Sequence, residues 1–517
     1  MKYLVTASEM RQYDSNTIEK TGIPGMVLME RAALCAFHVI EERFGAAFPM
    51  SRKRGASCAS GIPDKRISVL ILAGTGNNGG DGLALARLLS EAGYDVEVWG
   101  VGDPDKASAQ WKSQNKIMIH YPLEFGGKPR KEEYTIIVDA LFGVGLSREI
   151  TGQFKEAVQY CNNLKGFKLA LDVPSGIDSD TGEVLGCAFR ADVTVTFGFM
   201  KRGLAMYPGR EAAGEVITAP IGINEYSFYG RKPGMFYYDE PLEELLPKRD
   251  PAGNKGTFGK VLIIAGSRNM AGAAVLAARA AYRMGAGMVK VLTAPENRQI
   301  LQGTIPEALF GTYEDLDKSL EWADVAGIGP GLGQSGEALE ILTRIITGSP
   351  LPLLLDADAL NLLAGSGELR AKLAKRGRQG MSTVLTPHPG EMSRLTGLPM
   401  EEIKKDRAGS AMGLAQKLYA VVAAKDAGTI VCKESRPLYL NTGGNSGMAT
   451  AGSGDVLSGC ILGLMAQGME AFDAACVGVY AHALAGERAV RCRGEYACMA
   501  GDIAENLGAV TGGLTVR

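Results

Sequence analysis

The sequence predicts an α/β protein built from two domains in one chain. Three observations predict it. At 517 residues the chain is longer than one hydrophobic core usually absorbs. Short apolar runs recur through both halves and alternate with helix-like segments, the pattern of a parallel sheet covered on both faces. A stretch rich in Tyr, Pro and charge, residues 225–259, interrupts that rhythm and sets the boundary near residue 228. No internal repeat links the halves.

From Lys2 to about Glu42, apolar residues at three- and four-residue spacing predict helix. Residues 49–66, basic and rich in Gly and Ser, read as a solvated loop. Strands are expected in 67–74, 94–100, 134–143, 167–176, 191–198 and 215–222. The second half repeats the pattern at 260–267, 287–294, 323–333, 352–363, 383–392 and 428–435. Ligands in such folds gather at the carboxyl ends of strands. Met284 and Met288 read as core.

A formal net charge of -2 argues against a protein made to grip nucleic acid or an anionic membrane. No run approaches the ~18 apolar residues of a membrane span, and the N-terminus has no apolar core of signal-peptide length. Nine cysteines form no CxxC pair, and four histidines offer no zinc-site spacing. Scattered cysteines suit a reducing, cytoplasmic setting.

Two stretches carry chemistry. "LAGTGNNGGDGLALARLL" reads as strand, glycine turn, helix. It is neither GxGxxG nor a P-loop. Gly74, Gly76, Gly79 and Gly80 let the backbone expose N–H groups at a helix start, a phosphate cradle. A plain strand-to-helix turn is the alternative, which Asn77, Asn78 and Asp81 disfavour. Asp139 and Asp172 close later strands on the same face, where a carboxylate relays a proton or holds a cation. In the second half, "MATAGSGDVLSG" leads from Gly452, Ser453 and Gly454 into Asp455 and an apolar helix. Asp455 reads either as an N-cap or as a functional acid beside an anion site. Taken alone, Lys433 reads as a solvated charge and His388 as structural.

"GNNGGDG", "VDALFGVGLSREITG" and "DVPSGIDSDTG" resemble the NAD(P)H-hydrate epimerase domain over residues 5–225. "GIGPGLG", "DADALNLL", "TPHPGEMSRLTG" and "NTGGNSGMATAGSGDVLSG" resemble the ADP-dependent NAD(P)H-hydrate dehydratase domain over residues 236–515. The resemblance implies a Rossmann-like doubly wound sheet in 1–228 and a ribokinase-like α/β domain in 229–517. It implies that Asn77, Asn78, Gly79, Gly80 and Asp81, with Gly143, Val144, Gly145, Leu146, Ser147, Arg148 and Glu149, hold the hydrated dinucleotide. Asp172 would be the acid touching it, and Asn78, Asp139 and Ser175 would coordinate K⁺. In the second domain, Ala273, Gly331, Gly333 and His388 would line the hydrate pocket, with Asp358 and Asn361 beside them. Lys433, Glu434, Ser435, Arg436, Pro437, Asn445, Gly452, Ser453 and Gly454 would hold the nucleotide, and Asp455 would be the general base. ADP is the expected phosphoryl donor, with Mg²⁺, and the expected partners are hydrated NADH and NADPH, with no nucleic acid and no membrane. A homo-oligomer is expected. The competing classes are a ribokinase-like kinase for a vitamin precursor or sugar, which would leave a stable phosphorylated product, and a non-catalytic nucleotide- or partner-binding protein.

Overall fold

The computed structural model describes residues 1–45, 67–129 and 131–512, so the loop expected at 49–66 lies outside the described residues. The chain forms two compact units, Tyr3–Gly234 and Met235–Arg517, the latter joined by Met1–Lys2. They part between Gly234 and Met235, within the 225–259 stretch.

In the first unit the chain opens with β1 (Lys2–Val5), where helix was expected. Thr6 is the reason: its side chain accepts the Glu9 N–H in a capping box, so the helix starts only at Ala7. Leu4 and Val5 are instead buried in a parallel ladder with β8 (Met200–Lys201). The helices Ala7–Ser15 and Gly25–Phe44 follow. The main sheet takes β2 (Ser68–Ala73), β3 (Asp95–Gly100), β4 (Glu124–Gly126), β5 (Glu133–Ala140), β6 (Lys165–Leu171), β7 (Val193–Phe197) and β9 (Glu215–Ala219). Its order is β4-β3-β2-β5-β6-β7-β9, and every pairing is parallel. Connections run outward from β2 to β4, then return to β5 on the other side of β2. That reversal opens a crevice at the carboxyl ends of β2 and β5. Leu70, Leu72, Ile137 and Cys161 belong to the core behind it.

The second unit contains β10 (Met235–Tyr237), β11 (Lys260–Ile264), β12 (Met288–Leu292), β13 (Leu309–Gly311), β14 (Val325–Ile328), β15 (Leu353–Leu355), β16 (Thr383–Leu385), β17 (Val421–Ala424), β18 (Ile430–Cys432) and β19 (Leu438–Leu440). The order runs β13-β12-β11-β14-β15-β16-β17-β18-β19-β10. It reverses at β11 and β14, giving a second switch-point crevice. The sheet is parallel from β13 to β17, but β17–β18 and β18–β19 pair antiparallel. The strand expected at 428–435 is therefore the second arm of a hairpin, because only five residues separate it from β17 and no crossover helix fits.

The helix Ser453–Ala466 packs on the helix Ala271–Arg283 at backbone range. A Cβ on Gly459 would lie 2.1 Å from the Ala277 carbonyl oxygen, and one on Gly463 would lie 2.7 Å from that of Ala281. Among the described residues no helix is long and apolar enough to cross a membrane.

Candidate functional site

The first unit holds a cavity of about 810 Å³ at its crevice. Asn77, Asn78, Asp81, Gly143, Val144, Gly145, Leu146, Arg148, Glu149 and Asp172 all line it. Three expected residues do not. Gly79 and Gly80 serve packing: a Cβ on Gly79 would sit 1.8 Å from the Gly74 carbonyl oxygen, and one on Gly80 2.7 Å from Met29 Cε. Ser147 is exposed outside the lining.

Asp172 follows β6 with φ at +65°, a left-handed conformation that strains a non-glycine residue. Its Oδ1 accepts from Lys201 Nζ at 2.5 Å, and its Oδ2 accepts from the Val144 N–H at 3.1 Å. Lys201 is 0% exposed. Burial, then the neighbouring Asp172 and Asp14, push the Asp81 carboxyl well above its ordinary range. Burial and Asp172 also raise Asp14. Sequence reasoning missed both Lys201 and Asp14. Lys201 follows β7 closely, and Asp14 stands one helical turn from the buried Met10, which were the available signals.

Asp139 is fully buried and accepts from the Ser175 N–H and Oγ, both at 2.7 Å, and from the Leu141 N–H at 3.1 Å. Burial lifts its carboxyl to about 6, against the pull of those hydrogen bonds. Asn78 Nδ2 donates to the Phe142 and Leu171 carbonyls at 2.9 and 3.2 Å, while its Oδ1 is buried without a hydrogen-bond partner. Ser175 Oγ also bonds the Phe142 N–H at 2.9 Å, so Asn78, Asp139 and Ser175 meet around the Leu141–Phe142 turn. An orphaned amide oxygen among hard oxygen donors fits a monovalent cation.

In the second unit Asp455 is not an N-cap. Gly452, at φ +90°, caps the helix, and Asp455 stands at its third position. A Cβ on Gly452 would lie 2.5 Å from Leu276 Cδ1, which keeps the turn tight against the neighbouring helix. The Ser453 N–H is taken by the Thr450 carbonyl at 3.3 Å, and the first helical bond comes from Val456. The N–H groups of Gly454 and Asp455 are thus the ones left for an anion. Burial, then Asp356, raise the Asp455 carboxyl to about 7, with Lys425 opposing and Asp358 adding.

Asp356 and Lys425 follow β15 and β17 directly, and neither was expected as a site residue. Lys425 Nζ bonds Asp356 Oδ1 at 2.7 Å, and Ser458 Oγ bonds Asp356 Oδ2 at 2.7 Å. A Cβ on Gly454 would lie 3.2 Å from Lys425 Nζ, so this ammonium faces the glycine turn. Burial works against its charge, but Asp356, Glu391 and Asp455 raise its pKa overall.

His388 serves as a helix cap. Its Nδ1 accepts the Gly390 and Glu391 N–H groups at 3.0 and 3.4 Å. Burial, with Lys425 and Arg394, lowers its pKa, so the ring is neutral near pH 7 and still borders the Lys425–Asp356 pair. Gly331, with φ at +57°, stands against Ala273. Asp358 accepts the Gly333 N–H at 2.8 Å, and Asn361 accepts from Arg394 at 2.9 Å. Loops after β14, β15 and β16 thereby link these residues.

The nucleotide group divides. Ser453 Oγ and His482 Nε2 stand 3.2 Å apart, and burial lowers His482 to about 4. Asn445 Nδ2 donates to the Gly486 carbonyl at 3.4 Å, leaving its Oδ1 buried and without a partner. Lys433 and Arg436 are engaged elsewhere: Lys433 bonds Glu470 at 2.6 Å and Arg436 bonds Asp473 at 2.6 Å. Glu470 and Asp473 flank the start of the helix Ala471–Arg493, ~14 Å or more along it from His482. Those two side chains are not brought to the Gly452–Gly454 turn. Glu434, Ser435 and Pro437 are exposed beside them.

Fold and sites define a two-domain α/β enzyme, a Rossmann-like unit fused to a ribokinase-like one. A family model described as YjeF-related protein N-terminus matches residues 25–203, and one described as NAD(P)H-hydrate dehydratase matches residues 261–507. The bifunctional NAD(P)H-hydrate repair enzyme Nnr of Thermofilum pendens is 37% identical over 514 residues, covering 94% of this chain and 92% of that protein. The enzyme of the same name from Coxiella burnetii is 37% identical over 525 residues, covering 98% and 99%. The ADP/ATP-dependent NAD(P)H-hydrate dehydratase from Bacillus subtilis, co-crystallized with ATP/Mg²⁺, aligns with 53% of this chain and 96% of its own at 30% identity and TM-score 0.47. The chain belongs to the family of bifunctional NAD(P)H-hydrate repair enzymes.

Proposed function

We propose that this chain repairs hydrated NADH and NADPH. The unit Tyr3–Gly234 interconverts the R and S hydrates at C6, in place of the expected 1–228, and the unit Met235–Arg517 dehydrates the S form with ADP, releasing AMP and phosphate. The observation that carries the reading is Asp455: a carboxylate poised at about 7, free of any capping duty, beside two unspent backbone N–H groups. A base near neutrality suits removal of a hydroxyl proton. The N–H groups of Gly454 and Asp455 stabilise charge on the phosphoryl group in transfer. Asp455 takes the C6 hydroxyl proton, and the oxygen attacks the terminal phosphoryl group of ADP. Phosphate then leaves with the C6–O bond, assisted by the ring nitrogen. Loss of a C5 proton restores the dihydronicotinamide.

Ala273, Gly331, Gly333 and neutral His388 bound the hydrate, with Asp358 and Asn361 fixing the loops around it. Asn445 and Ser453 face the nucleotide. Mg²⁺ would travel with the nucleotide phosphates and clamp their charge. In the first unit Asp172 handles the substrate proton. Asn78 Oδ1, Asp139 and Ser175 would hold K⁺, supported by the orphaned Asn78 oxygen.

The test mixes the protein with hydrated NADH, ADP and Mg²⁺ and follows the return of dihydronicotinamide absorbance. A stable phosphorylated product in place of NADH overturns the reading in favour of a kinase. For the cation, Asp139→Ala should weaken epimerisation and its response to K⁺, with dehydration of pure S hydrate nearly intact. An unchanged K⁺ response in the folded variant removes the site.

A further inference from the structure

We propose that Lys201 is a positioning residue of the epimerase site, fixing Asp172 to accept a proton from incoming water, while Asp81 gives a proton to the departing C6 hydroxyl. This rests on the epimerase reading and adds which bond breaks and which groups serve it.

The geometry begins with a lysine that has nothing left to give. Lys201 Nζ reaches Asp172 Oδ1 at 2.5 Å, Phe197 O at 2.8 Å and Thr196 Oγ1 at 3.0 Å. An ammonium has three N–H donors, and all three are spent on the protein. Lys201 therefore touches no substrate and acts through Asp172. The second oxygen of Asp172 is tied to the Val144 N–H, in the Gly143–Glu149 loop, and its own N–H bonds the Val195 carbonyl at 2.8 Å. Those bonds hold the strained backbone at φ +65° and fix the carboxylate at the cavity wall. A charge-assisted pair of this kind is short and directional, and it keeps the Asp172 carboxylate aimed.

Asp81 has the opposite surroundings. It rises from the helix Asn77–Glu91 into the same cavity, and no cation is bonded to it among the described residues. Burial, then Asp172 and Asp14, raise its carboxyl well above the ordinary range, against the pull of the Lys201 charge. One cavity thus holds a carboxylate bonded to an ammonium and a carboxyl buried beside other acids, the contrast by which two carboxyl groups take base and acid roles.

The chemistry balances without an oxidant or reductant. Asp81 protonates the C6 oxygen, the C6–O bond breaks, and water leaves as the ring-nitrogen lone pair forms an N1–C6 iminium bond. A second water adds to the other face of C6 and gives its proton to Asp172. The net change is one water out and one in. The proton returns from Asp172 to Asp81 through solvent in the cavity. Opening the C6–N1 bond instead would carry the original oxygen into an aldehyde and back.

The experiment incubates R hydrate briefly with the full-length protein in ¹⁸O-water, without ADP, and weighs the S hydrate formed. One ¹⁸O per epimerised molecule is expected, and retained ¹⁶O overturns the proposal. Asp81→Asn should lower kcat for epimerisation by roughly 10²-fold or more, with KM little changed. Lys201→Met should also act on kcat, with partial rescue in Lys201→Arg. A wild-type kcat in Asp81→Asn, or in a Lys201→Met protein that melts normally, overturns it, and Asp81→Asn decides if Lys201→Met fails to fold. If the wild-type protein interconverts neither hydrate, the epimerase reading itself fails. Interconversion with retained oxygen defeats only this inference.

Discussion

Each unit holds a lysine–aspartate pair at the ends of its strands, and the two pairs are placed differently. In the first unit Lys201 sits directly on Asp172, the acid assigned to the substrate. In the second, Lys425 bonds Asp356, and Asp455 stands next to that pair without an ammonium of its own. An ammonium placed on the working acid fixes where its oxygens point. An ammonium placed on the neighbouring acid leaves the working one without a bonded cation, and burial, then Asp356, lifts its carboxyl to about 7 against the pull of Lys425. One type of pair thus leaves an acid bonded to an ammonium in one unit and an acid raised to about 7 in the other.

The largest effect expected from breaking the second arrangement is on rate. Because Gly452 is the cap, Asp455→Asn removes no cap and little volume. Dehydration of S hydrate should nevertheless fall by roughly 10²–10⁴, the range for a lost general base. ADP binding, measured by calorimetry, should persist through the backbone N–H groups. Near-normal turnover would remove Asp455 from the chemistry.

A smaller effect tests Lys425. Its charge pulls the Asp455 carboxyl down, so Lys425→Met should move the low-pH arm of the dehydration profile, centred near 7 in the wild type, to higher pH. A one-unit rise leaves about a tenth of the base ionised at pH 7 in place of half. An arm that stays in place would show that the two sites are not electrostatically contrasted in this way.

The smallest effect is on stability. Asp455 titrates near ~3.9 in the unfolded chain and at about 7 when folded. The folded state therefore binds more protons between those values, and stability falls as pH rises through that window. Above 7 the penalty is complete. Asp455→Asn should melt higher than wild type at pH 8, by roughly 1–3 kcal/mol in stability, and the difference should vanish below pH 4. Coincident melting curves at pH 8 would mean that Asp455 carries no such penalty.

What the sequence made legible was what local chemistry dictates. Gly74, Gly79, Gly80 and Gly452 announce themselves because a side chain at any of them would run into a neighbouring residue. The acids closing strands fall at the crevices because strand ends do. The partners of those acids were hidden. Asp356 bonds Lys425, 69 residues away, and Ser458, 102 away. A lone lysine in sequence reads as solvated, so Lys201, fully buried, was invisible. Nor did the sequence separate cap from base at Asp455, because the helix start two residues earlier depends on the φ of Gly452. Short β17 was missed because four small apolar residues, Val421–Ala424, directly after a helix carry no period of their own.

The glycines at 459 and 463 have a consequence for motion. They press the helix Ser453–Ala466 against the helix Ala271–Arg283 with no side chain between the backbones. The first helix presents Asp455, and the second begins beside Ala273. A tilt of one must displace the other, so their amides are expected to exchange with solvent as one cooperative unit. A ligand gripping the glycine turn thereby slows exchange across the neighbouring helix.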